Sequence, residues 1–145
     1  SNQITRSIFS RHNNLHHRDT GFVSIQGQVF VLFDSIFEPD RLRNKDPVTM
    51  RRIQSNPTRK KKLNAMLKKH KEAILVSHTP PRGYVDKIYS GIHVGSKIVR
   101  DAIKQYQPKL VLCGHIHEAK GEAKIGKSRV VNLGSHGDYK ILHTT

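Results

Sequence analysis

Two short apolar runs in the second half of the chain constrain its fold more than any other feature. Residues 73–77 and 110–113 are unbroken, uncharged and rich in branched side chains. Runs of this kind are typical of strands that are buried on both faces of a sheet. Between them, residues 96–107 carry apolar side chains at helical spacing, and Pro108 ends that helix. The order predicts a mixed α/β domain built in layers.

The remaining pattern adds hairpins and one further helix. A glycine between β-forming runs predicts hairpins over residues 22–33 and 122–132. Leu63, Met66 and Leu67 follow helical spacing and predict an amphipathic helix from Asn56-Pro57 to about Lys71. Residues 1–19 are assigned as a loop or short irregular helix, and residues 34–47 as a loop leading into a helix. Residues 139–143 are assigned as a last strand.

Positive charge dominates the chain. Its 145 residues include 26 Lys and Arg against 11 Asp and Glu, a formal net charge of +15, which attracts polyanions. The densest run, Arg59–Lys62 with Lys68, Lys69 and Lys71, falls on the predicted helix. Two interpretations stay open. The run is either a solvated helix face or a nucleic-acid footprint, and the lack of interleaved aromatic residues weakens the second.

Cysteine and hydropathy bear on the cellular compartment. Cys113 is the single cysteine, so an internal disulfide and a cysteine-based zinc cluster are excluded, and we expect it to be a small buried hydrophobe. No apolar stretch approaches the roughly 18 residues of a membrane span. We therefore expect a soluble cytoplasmic protein without a membrane partner. Because the sequence begins at Ser1 rather than Met, we expect an upstream segment or a processed tag.

Both buried runs end abruptly at histidines. His78 precedes Thr-Pro-Pro, and His115 and His117 stand in Gly-His-Ile-His. Strand ends converge at one edge of a layered α/β domain, so we expect these histidines to meet. On extended backbone His115 and His117 would point the same way and could hold one metal or two adjacent ones. The metals that imidazole suits are Zn, Fe, Mn and Ni. The alternative is that the two histidines are ordinary part-buried residues without a ligand.

These motifs resemble the closing half of the calcineurin-like metallophosphoesterases. The similarity runs from Ile74 to about Ser135 and includes Glu118-Ala-Lys-Gly and Val130-Val-Asn-Leu-Gly-Ser. The resemblance implies a four-layer α-β-β-α sandwich and hydrolysis of phosphorylated substrates, monoesters or diesters, at two divalent metal ions. It also implies that His78 and His115 ligate one ion and that His117 ligates the other.

The chain departs from the family's pattern in its first half. The family's Asp-x-His, Gly-Asp and Gly-Asn-His motifs are missing from residues 1–73. We therefore expect residues 1–145 to be the carboxy-terminal portion of one domain, whose amino-terminal half lies in the same or another chain. With an incomplete site, a non-catalytic nucleic-acid-binding module or a degenerate scaffold remains an alternative to an active phosphoesterase.

Three weaker groups of residues have competing explanations. One group is either a second metal site or a solvated loop: His12, His16 and His17. Another either lines a phosphate-binding cleft or is a surface loop: Arg82, Tyr84, Asp86 and His93. The last either supports the site or forms turns: Asn132 and Ser135.

Overall fold

The computed structural model describes residues 21–33 and 57–134. These contain six strands, two helices and one 3-10 turn. Their bounds are β1 Gly21–Ile25, β2 Gln28–Phe33, α1 Pro57–Lys69, β3 Ile74–Ser77, α2 Lys97–Tyr106, β4 Leu110–Cys113, the 3-10 turn His117–Ala119, β5 Gly121–Ile125 and β6 Ser128–Asn132. Both predicted hairpins, both helices and both buried strands are confirmed within a few residues. The segments assigned to 1–19, 34–47 and 139–143, with His12, His16, His17 and Ser135, lie outside the described residues.

The helix ends follow local chemistry. The Ser96 side chain accepts a hydrogen bond from the Val99 amide and caps the start of α2. Gln107, in the left-handed region at φ 50°, ends α2, because Pro108 cannot continue a helix. The Gln107 amide group also holds the turn of the closing hairpin, donating to Ile125 O and accepting from Lys127 N. The end of α2 is thereby tied to β5 and β6.

The strands form one sheet in the order β1-β2-β3-β4-β6-β5. The inner four strands are parallel, and each outer strand pairs antiparallel with its hairpin partner. Register places Phe33 beside Ser77, and Cys113 beside Asn132. The parallel strands therefore end together, and the loops that follow them share one edge of the sheet.

Side chains alternate between the two faces of the sheet. On one face, Leu75 and Val111 pack with Leu63 of α1 and Ile103 of α2. A second buried cluster lies on the other face. Among the described residues, it consists of strand side chains, including Leu32, Val76, Leu112 and Val131, together with Leu133, which follows β6. Strands buried on both faces are what the apolar runs predicted.

The predicted fold class, a mixed α/β fold of the metallophosphoesterase type, is confirmed by this sheet and its two helices. The second sheet of a four-layer sandwich is not among the described residues. In the same residues, no helix is both long enough and apolar enough to cross a membrane.

Candidate metal centre

The candidate centre lies where β2, β3 and β4 end. His78 follows β3 directly, and its amide donates to Phe33 O at 3.3 Å. Its carbonyl accepts a hydrogen bond from Gly114 N at 3.1 Å, so the backbone pairing between neighbouring strands continues one residue beyond their ends. Leu133 N donates to Cys113 O at 2.9 Å in the same way. These bonds fix the backbone on which the histidines stand.

The structure brings His78 and His115 together. Nε2 of His78 lies 2.9 Å from Nδ1 of His115, and the ring centroids are 4.6 Å apart. His78 is buried, with 4% of its surface exposed, and His115 is half-buried. The sequence expectation that these strand-end histidines meet is therefore met for this pair, whereas their roles as ligands stay a prediction.

The separation of these two nitrogens fits two kinds of contact. With one ring donating and the other accepting, it is an ordinary hydrogen bond between neutral imidazoles. Two imidazoles bound at right angles to one cation, each at about 2.1 Å, would also have their nitrogens about 3 Å apart. The pair therefore has the donor chemistry and spacing of two ligands of one metal.

His117 is placed differently from the expectation. The backbone after β4 is not extended: His115 has φ 65°, Ile116 N donates to Gly114 O at 2.7 Å, and His117 begins the 3-10 turn. The expectation of extended backbone was wrong because the chain turns sharply here to enter β5. His117 is exposed. Across residues 21–33 and 57–134, no three His, Cys, Asp or Glu side chains form a group suited to a metal ion.

Asp86 organises the long loop between β3 and α2. Its carboxylate is fully buried and accepts hydrogen bonds from the amides of Gly83 and Gly95, each at 2.9 Å, and contacts His93 Nδ1 at 2.6 Å. The loop closes on the residues after His78, since Ser96 N donates to Pro80 O. A Cβ on Gly95 would lie 2.6 Å from Pro80 O, so this approach requires glycine.

This arrangement bears on the hypothesis of a phosphate-binding cleft. Asp86 points into the loop rather than toward a cleft, and Tyr84 packs against the helix-side core. Arg82 and His93 are half-buried. The Asp86 carboxylate is committed to its own loop, and for Arg82, Tyr84 and His93 the cleft hypothesis stays a prediction.

Asn132 joins the two loops that border the histidines. It is the last residue of β6 and is 1% exposed. Its amide group donates to Val85 O at 2.9 Å and to Ile116 O at 3.0 Å, and its oxygen accepts from Gly134 N. The hypothesis that Asn132 supports the site is consistent with these bonds. Its partner Val85, 47 residues away, could not be predicted from the sequence.

Cys113 is buried behind the candidate centre. Burial raises the pKa of its thiol far above the ordinary range, and the nearby charge of Asp86 adds to the effect. The thiol is therefore neutral, and Sγ lies 3.5 Å from Val131 O. This position suits the small buried hydrophobe that the sequence predicted rather than a metal thiolate.

Comparison with known proteins gives one family. The family described as "Metallophosphoesterase, calcineurin superfamily" matches residues 13–145. An uncharacterized protein of Methanocaldococcus jannaschii is 41% identical over 76 residues, which cover 49% of this chain and 35% of that protein. A UPF0046 protein of Caenorhabditis elegans is 33% identical over 60 residues, covering 41% of this chain and 15% of its own length.

One solved crystal structure resembles a large part of this chain. It superposes with a TM-score of 0.51 at 25% sequence identity, over 79% of this chain and 44% of the other. In each of these three comparisons, the match spans less than half of the relative's own length.

Proposed function

The chain belongs to the calcineurin superfamily of metallophosphoesterases, and from this membership we propose that it forms part of a metal-dependent hydrolase of phosphomonoesters or phosphodiesters. The family gives the general activity, which is that of a phosphoesterase. The dinuclear centre and the role of each histidine are part of the proposal.

One observation supports the proposal above others, namely the 2.9 Å approach of the His78 and His115 ring nitrogens at the ends of adjacent parallel strands. Two buried or half-buried imidazoles are held there by backbone bonds that do not depend on a ligand. A site prepared in this way lowers the cost of ordering ligands when a cation binds.

In the proposed centre His78 and His115 hold one divalent cation, Mn, Ni, Fe or Zn, and His117 holds the second. Bound cations of this kind polarise phosphoryl oxygens and provide hydroxide at neutral pH. His117 stands two residues after His115 on the same turn, exposed at the edge where substrate would approach. Asn132 positions that turn through Ile116 O.

Residues 21–33 and 57–134 do not supply the remaining ligands. Hard divalent cations favour carboxylate oxygen, and within the described residues the one buried carboxylate, Asp86, is committed to its own loop. We propose that an amino-terminal half, in the same or another chain, supplies the bridging carboxylate and the other ligands. The partial coverage of the relatives supports this proposal.

The test is metal-dependent hydrolysis of p-nitrophenyl phosphate and bis(p-nitrophenyl) phosphate by the longest protein that contains this chain. We expect turnover with Mn²⁺ or Ni²⁺, and a loss of at least about 100-fold in His115→Ala, because a ligand is removed. His70→Asn is the matched control. His70 precedes β3 at the opposite edge of the sheet, where its ring contacts Phe22 at 4.5 Å.

Two results would overturn the proposal. One is no turnover by that protein with Mn, Ni, Fe or Zn. The other is a His115→Ala variant that keeps both its metal content, measured by mass spectrometry of the eluted ions, and its rate. Either result would favour a scaffold that kept the fold without the chemistry.

A further inference from the structure

A groove runs between α1 and the end of α2, away from the histidines. Its volume is about 370 Å³. We call it the basic groove, and it is lined by Pro57, Lys60, Lys61, Asn64, Ala65, Lys68 and Tyr106.

The lining residues of α1 form a single stripe. They recur three or four positions apart from Pro57 to Lys68, which places them on one side of the helix. The helix packs on the core through Leu63 and Leu67 instead. The groove is therefore formed by an outer face of α1 that differs from its core-facing side. The three lysines of this face are exposed.

No acidic side chain among the residues that the structure describes pairs with the lysines of this face. Helix α1 carries six basic residues and no acidic one. The salt bridges of the described residues, such as Arg129 with Glu122 and Lys109 with Glu72, do not involve Lys60, Lys61 or Lys68. Cations without an acidic partner in residues 21–33 and 57–134 attract a polyanion that can follow the groove.

Tyr106 changes the interpretation of the charge run. The sequence shows no aromatic residue among the lysines, but the fold brings the Tyr106 ring from α2 to the groove, where it is half-buried and packs in part against the helix-side core. Lysines that track a phosphate backbone, with an aromatic ring on which a base can stack, are the usual elements of a surface for single-stranded nucleic acid. A membrane surface would instead require large apolar side chains along the exposed face.

We propose that the basic groove binds single-stranded nucleic acid, with Lys60, Lys61 and Lys68 against phosphates and Tyr106 against a base. Lys60 and Lys68 are eight residues apart, about 12 Å along the helix axis. At about 3.4 Å per nucleotide of a stacked strand, the groove spans three to four phosphates. This binding does not depend on the proposed hydrolysis.

The test compares two double variants by fluorescence anisotropy with a labelled oligothymidylate of about 20 nucleotides. Lys60→Gln with Lys68→Gln removes two groove lysines. Lys97→Gln with Lys124→Gln removes two exposed lysines that do not line the groove. We expect the groove variant to bind about tenfold more weakly and its log–log salt slope to fall by about 1.4, while the matched control changes less than about twofold.

The ring is tested separately. Tyr106→Leu should weaken binding, and Tyr106→Phe should not, because it keeps the aromatic face. Circular dichroism confirms that each variant is folded. His115→Ala should bind the oligonucleotide as the wild type does, so failure of the proposed hydrolysis and failure of this proposal are distinguishable.

Several outcomes would overturn the proposal. They are no binding of the oligonucleotide, binding that does not depend on salt, and equal weakening in the two double variants. Equal weakening would show that net charge, rather than the groove, determines the affinity. Binding of phosphatidylserine vesicles or polyglutamate in preference to the oligonucleotide would assign the groove to a different partner.

Discussion

At the scale of single residues, one histidine of the candidate centre and two polar residues of the neighbouring segments are buried. His78, Asp86 and Asn132 have between 0% and 4% of their surfaces exposed. Their side chains form hydrogen bonds with His115, the Gly95 amide and Val85 O, respectively. A buried polar group without a partner costs free energy, so these bonds restrict the backbone to one arrangement. The site geometry is therefore a property of the folded chain before any ligand binds.

Cys113 allows a prediction of pH dependence. Burial raises the pKa of its thiol in the folded chain above the unfolded value of about 8.5, so the folded state holds the proton more tightly. The thiol's contribution to stability is complete below that pH and is lost as pH rises above it. We expect the free energy of unfolding to fall by up to about 1.4 kcal/mol per pH unit above pH 9.

The measurement is urea unfolding at several alkaline pH values. Cys113→Ala is the control, since it lacks the titrating group and removes the effects of lysine and tyrosine titration from the difference. Parallel pH profiles for the wild type and Cys113→Ala would contradict the prediction.

At the scale of elements, the loop between β3 and α2 is fixed by one carboxylate rather than by regular structure. Asp86 satisfies the amides of Gly83 and Gly95 and contacts His93, which closes the loop beside the residues that follow His78. Because Val85 O of that loop also accepts a hydrogen bond from the Asn132 amide group, the position of the loop is coupled to the turn that carries His115. The loop and the histidine turn form one structural unit.

Asp86→Asn tests this unit. The oxygen of asparagine can still accept from both glycine amides, which share Oδ2, but its NH2 group replaces the charged acceptor Oδ1 that faces His93 Nδ1, so we expect a loss of about 1.5–3 kcal/mol in urea unfolding. His93→Gln, which keeps a donor toward the carboxylate at a half-buried position, should cost less than about 1 kcal/mol. Equal stability of Asp86→Asn and the wild type would show that the loop does not need its buried charge.

At the scale of the whole molecule, the described sheet has two apolar faces and one edge that carries the candidate histidines. The helices cover one face, and the other presents a second buried cluster, as a sandwich of two sheets requires. The basic groove lies along α1, which packs on the strands at the β1–β2 end of the sheet. Nucleic-acid binding and hydrolysis would therefore use different surfaces of the molecule.

Metal linkage is a prediction at this scale. If His78 and His115 bind a cation only when folded, Mn²⁺ at about 100 times its Kd should add about 2.7 kcal/mol to the free energy of unfolding. Thermal unfolding of metal-free protein with added Mn²⁺ measures this effect. His115→Ala should lose it and His70→Asn should keep it; stabilisation of all three proteins alike would indicate binding elsewhere.

The sequence by itself determined the elements of this protein and its principal candidate residues. Unbroken apolar runs, helical spacing and the glycine of each hairpin act over a few neighbouring residues, so β3, β4, α2 and both hairpins could be predicted from it. The same local pattern placed His78, His115 and His117 after strand ends. The resemblance to a family came from those motifs and is confirmed over residues 13–145.

Only the tertiary structure decided how these parts meet. The pairing of β4 with β6, the 2.9 Å approach of two rings 37 residues apart and the inward direction of Asp86 depend on contacts between distant segments, which no local pattern encodes. Tyr106 reaches the lysines of α1 for the same reason. Local preferences choose the elements, but burial of both sheet faces and satisfaction of buried polar groups choose their arrangement.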